Sequence, residues 1–107
     1  MTVDQVFIIK KLQNLDEMLV AYSAVTRMPF ATCDEESFND QVWIFTDQDK
    51  MKAFAEKYKE EKKLILPVKV QKKDASMFYM NLFSMGINEV VFCDGDQENK
   101  IELTQIV

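Results

Sequence analysis

The chain has 107 residues, 48% hydrophobic and 29% charged, and its 13 basic and 18 acidic side chains give a net charge of −5. That balance predicts a single globular domain over 1–107 and argues against nucleic acid as a partner, since no concentrated Lys or Arg face is visible. With no His, two Gly and two Cys, the chain lacks the residues for His-bound zinc, Ser-His or Cys-His nucleophile pairs and glycine-rich phosphate loops.

From the N-terminus, Ile8, Leu12, Leu15, Leu19 and Tyr22 recur at spacings of four and three, which predicts a helical stripe. The sequence "NLDE" at Asn14–Glu17 has the form of a capping box, so the stripe divides into helices at 3–13 and 15–25. The apolar run "VFII" is four residues long and precedes its lysines. It is neither a secretory segment nor a membrane span, so the expectation is no membrane contact and a cytoplasmic location.

After Arg27, "MPFATC" and "QVWIFT" read as strands, with Pro29 placing the first at an edge or a strand start. Met51, Phe54, Ala55 and Tyr58 then predict an amphipathic helix over 47–61, capped by Thr46 with Asp49 at the third helical position. "LILPVKV" is the next strand. Asp74 is placed to cap a helix through "ASMFYMNLFSM", ended at Gly86 with Ile87 folding back on the last turn. "NEVVFC" and "KIELTQIV" are two final strands, joined by "DGDQEN" in a hairpin. The fold class is therefore α+β: a single domain with a mixed β-sheet of about five strands and helices packed on it.

Two Asp-x-Asp pairs follow apolar runs, Asp47 and Asp49 in "WIFTDQDK" and Asp94 and Asp96 in "VVFCDGDQE". Phosphotransferases of the haloacid dehalogenase type place a nucleophilic Asp directly after a strand and a second Asp two residues on, beside magnesium. That makes a metal-dependent phosphatase using Asp47 and Asp49 the alternative function. Helix capping and turn chemistry account for the same residues with nothing left over, so no catalytic residue, metal ligand or cofactor is expected. Cys33 and Cys93 read as buried, reduced strand-end thiols.

The run from "MPFATC" through "QVWIFTDQDKMKAF" to "LPVKV" and "LFSMGINEVVFCDGD" resembles the N-terminal domain of the SseB family, named for enhanced serine sensitivity. The matching features are Pro29, Phe45, Thr46, Asp47, Met51, Phe54, Gly86 and the strand ending at Cys93. The departure is "CDGD", which stands where the family has Asn-Pro. The resemblance implies a small α+β domain of bacterial cells that serves as an interaction or accessory module, with no catalytic residues to carry over.

Within "MFYMNLFSM" seven of nine residues are apolar. One stripe, Phe78, Leu82 and Met85, suffices to face the sheet, which leaves Met77, Tyr79, Met80 and Phe83 as the expected contact surface for a protein partner or for self-association.

Overall fold

The computed structural model describes residues 2–107. In chain order its elements are α1 (Val3–Gln13), β1 (Glu17–Ser23), β2 (Ala31–Cys33), β3 (Asp40–Phe45), α2 (Gln48–Lys59) and β4 (Ile65–Gln71). A 3-10 turn at Lys72–Asp74 leads into α3 (Ala75–Ser84), followed by β5 (Glu89–Asp94), β6 (Gln97–Glu102) and a one-turn α4 (Leu103–Ile106). The class is α+β, with a mixed sheet of six strands.

Strand order across the sheet is β4-β1-β3-β5-β6, and β2 pairs with β3. Only β3 and β5 run parallel as neighbours; every other pairing is antiparallel. The crossover from β3 through α2 to β4 steps over β1. The one from β4 through α3 to β5 steps over β1 and β3. β3 pairs with β1 near its end, at Ile44 and Phe45, and with β2 near its start, at Asp40–Val42.

Side-chain alternation sorts the core into two layers. Met18, Val20, Val42, Ile44, Val90, Phe92 and Ile101 point to the face covered by Ile9 and Leu12 of α1, Phe78, Tyr79 and Leu82 of α3 and Ile106 of α4. Leu19, Ala21, Phe45, Val91 and Cys93 point to the other face, under Met51 and Phe54 of α2. Each large aliphatic or aromatic side chain taken out of water here contributes roughly 1.5–3 kcal/mol.

This two-sided burial explains the main departure from sequence expectation. Residues 15–25 form no helix: Met18, Leu19, Val20 and Ala21 are buried consecutively, as in a strand covered on both faces. A fully buried strand shows no polar alternation, and Leu15, Leu19 and Tyr22 happened to continue the spacing of α1. Asn14 ends α1 instead of capping a second helix; its side chain donates to the Lys10 carbonyl at 2.8 Å. The start of α1 carries a capping box of its own, Thr2 with Gln5.

Three smaller corrections follow. The cap of α2 is Asp47 and not Thr46, with Asp47 Oδ1 accepting from the Asp49 amide at 2.8 Å. Asp74 stands at the N-cap position of α3 but makes no side-chain cap bond. The final strand stops at Glu102, and Leu103–Ile106 turn into α4. The C-terminus of α3 is as expected: Gly86, at φ +82°, donates to the Phe83 carbonyl and Ile87 to the Leu82 carbonyl, the Schellman arrangement.

Candidate functional site

The two Asp-x-Asp segments leave the sheet side by side, at the carboxyl ends of parallel β3 and β5. Thr46 donates its hydroxyl to Asp94 Oδ1 at 3.1 Å. The other Asp94 oxygen pairs with the Lys11 ammonium of α1, and these two donors, Lys11 first, hold its carboxyl below the usual carboxylate range. Asp96, in the hairpin turn, pairs with Lys50 of α2 at 2.6 Å, which lowers the Asp96 pKa and raises that of Lys50. Asp47 is engaged by the helix end. These carboxylates thus fasten α1, α2 and the β5–β6 turn together at the carboxyl ends of β3 and β5. Among the described residues no group of three or more His, Cys, Asp or Glu is placed to hold a metal ion.

Beside the Lys50–Asp96 pair, α2 and the β5–β6 hairpin border an open groove of about 410 Å³. Trp43, Phe45 and Cys93 line it together with Phe54 and Lys57 of α2. Trp43 is held by a hydrogen bond from Nε1 to Thr32 Oγ1 at 2.8 Å, and its ring lies 4.9 Å from Phe54. Burial, and then the charge of Glu98, pushes the Cys93 thiol up to about 12, so the groove offers no thiolate at neutral pH. Cys33 departs from expectation: it is a free thiol at the surface, while Cys93 is free and buried. Neither this groove nor the Lys11–Asp94 and Lys50–Asp96 pairs were foreseen. The one local signal was that "FTD" and "FCDG" both end apolar strands.

The residues expected to form the contact surface divide. Met77 is 69% exposed, Met80 54% and Phe83 38%, and they lie on the outer side of α3. Tyr79 does not join them. It is buried at 5%, its hydroxyl donates to Met18 Sδ at 3.5 Å, and burial raises its pKa. The inward set of α3 is therefore Phe78, Tyr79 and Leu82, with Met85 half-buried against the same core. The whole segment from Ala75 to Asn88 carries no charged side chain, in a chain that is 29% charged.

No protein-family model, curated protein or solved structure matches this chain. Among the described residues no helix is long and apolar enough to cross a membrane.

Proposed function

We propose that this protein is a non-catalytic, cytoplasmic interaction module of the SseB N-terminal-domain type from a bacterial cell, and that the outer face of α3 docks a partner protein. The observation that carries this reading is the exposure of Met77, Met80 and Phe83 on a helix without a single charge. Covering that face desolvates no ion, and flexible thioether side chains adapt to the surface they meet. A ten-residue helix is only about 15 Å long. Its face is smaller than the roughly 800 Å² per partner of a stable complex, which fits a transient contact of modest affinity.

Site-specific photo-crosslinking in cells tests the proposal. A crosslinker at Met80 is expected to trap one reproducible protein, the yield falling when Met77 and Phe83 are changed to Ser. A crosslinker at Lys52, on the solvent side of α2, should trap none. Equal, diffuse labelling from both positions would count against α3 as a docking face.

A further inference from the structure

The two edges of the sheet are built differently, and the difference identifies a second interaction surface. Along β4 the residues hydrogen-bonded to β1 alternate with residues whose backbone faces outward. The bonds from Ala24 to the Leu64 carbonyl and from Lys72 to the Asp16 carbonyl fix the phase, given the pairing of Ala21 with Pro67. Ile65, Pro67, Lys69 and Gln71 face the free edge. Pro67 thus puts its missing N–H where a further strand would bond, the usual means of blocking an edge.

At the opposite edge, the bond from Leu103 to the Asn88 carbonyl fixes the phase of β6 in the same way. There the outward-facing backbone belongs to Glu98, Lys100 and Glu102, and no Pro, Gly or bulge interrupts it. Charge commonly blunts an edge, but here the signs alternate. Lys100 is anchored by Asp34 at 2.8 Å. Beside this edge, α1 and β6 border a groove lined by Asp4, Phe7, Ile8, Gln97, Glu98 and Asn99, and Phe7 stands 71% exposed there.

We propose that β6 pairs antiparallel with β6 of a second copy of this chain, the two-fold axis passing at Asn99. In that register Glu98 of each copy lies opposite Lys100 of the other, and each such pair exchanges both backbone hydrogen bonds. A slip that puts the axis at Lys100 sets Lys100 against Lys100 and Glu98 against Glu102, so like charges oppose at every outward position and the alternative is rejected. The exposed Phe7 rings flank the same face of the seam and bury against the copy. Such a dimer joins two sheets edge to edge and leaves α3, which packs at the β4 side, free at both far ends. This inference uses a surface separate from α3 and stands or falls independently of the docking reading.

Sedimentation at high micromolar concentration is the test. The native chain is expected to be a dimer, and Lys100→Pro a folded monomer, since the lost N–H faces outward and no backbone bond within the chain is removed; the one intrachain loss is the surface pair of Lys100 with Asp34. Charge exchange keeps the test sound if the Pro variant unfolds. Lys100→Glu alone and Glu98→Lys alone should each be monomeric, and an equimolar mixture should form a heterodimer, because both pairs between positions 98 and 100 are then again of opposite sign. A native chain that stays monomeric, a dimer indifferent to both charge changes, or a mixture that fails to pair would overturn the proposal. So would a dimer lost on Met80→Ser but retained in Lys100→Pro, which would assign self-association to α3.

Discussion

Thr46 and Asp94 stand at the ends of the two parallel neighbours β3 and β5, and the 3.1 Å hydrogen bond between their side chains joins the strand ends. The Thr46 side chain is spent on this strand-end contact, and the next residue, Asp47, accepts from the Asp49 amide and caps α2. Asp47→Ala is expected to cost about 0.5–2 kcal/mol, as N-cap removal does. Thr46→Val should cost about 1 kcal/mol or less, because Lys11 still holds Asp94. Denaturant unfolding gives the two costs, and amide exchange at Asp49 should quicken only in the Asp47 variant.

Tyr79 and Met80 are adjacent in sequence and opposite in environment. Tyr79→Ala should cost about 3–5 kcal/mol as a large-to-small change in the core. Tyr79→Phe gives up only a weak bond to sulfur, and Met80→Ser lies on the surface, where changes usually stay within about 0.5 kcal/mol. Equal losses for Tyr79→Ala and Met80→Ser in urea unfolding would contradict this placement of α3.

The two thiols should separate cleanly under a thiol reagent. Cys33, at the surface, reacts at once in native protein, whereas Cys93 reacts only after unfolding. A stoichiometry of one fast thiol per chain, rising to two in denaturant, is the expected result; two fast thiols would mean that β5 opens readily.

Gly86 ends α3 at φ +82°, with open space where a Cβ would stand. Gly86→Ala should therefore lose stability through backbone strain alone, about 1–2 kcal/mol, and Gly86→Asn less. A loss much above that range would reveal a steric clash that this geometry does not contain.

Asp34 provides a pH test. Its hydrogen bond with Lys100, and then that with the Glu36 amide, lowers its pKa to about 2 from 3.8. Because the folded value lies below the unfolded one, the associated stability is present above pH 3.8 and is lost as pH falls through about 2. Carboxyl NMR titration should find this low midpoint, and Lys100→Ala should move it upward while the Glu36 amide keeps it below 3.8.

The sequence by itself determined what local geometry dictates. The i, i+3, i+4, i+7 spacing of Met51, Phe54, Ala55 and Tyr58 marked α2, Gly86 and Ile87 marked the end of α3, and Asp-Gly marked the β5–β6 turn. These features depend on residues a few positions apart, and so does the α+β class they imply. Tertiary structure alone decided the rest. β1 became the buried strand between β3 and β4 because helices cover both faces of the sheet, which no spacing within residues 15–25 records. Tyr79 went inward because the apolar sheet face around Met18, 61 positions away, buries its ring, and Thr46 bonds Asp94 because two parallel strands end side by side. Likewise, the pattern "ENKIE" is legible in the chain, but only the pairing of β6 with β5 on one side and nothing on the other turns it into an edge. Long-range neighbours settle which face of an element is buried, which strand lies at an edge and which partner a polar group takes, and so position the surfaces from which a function is proposed.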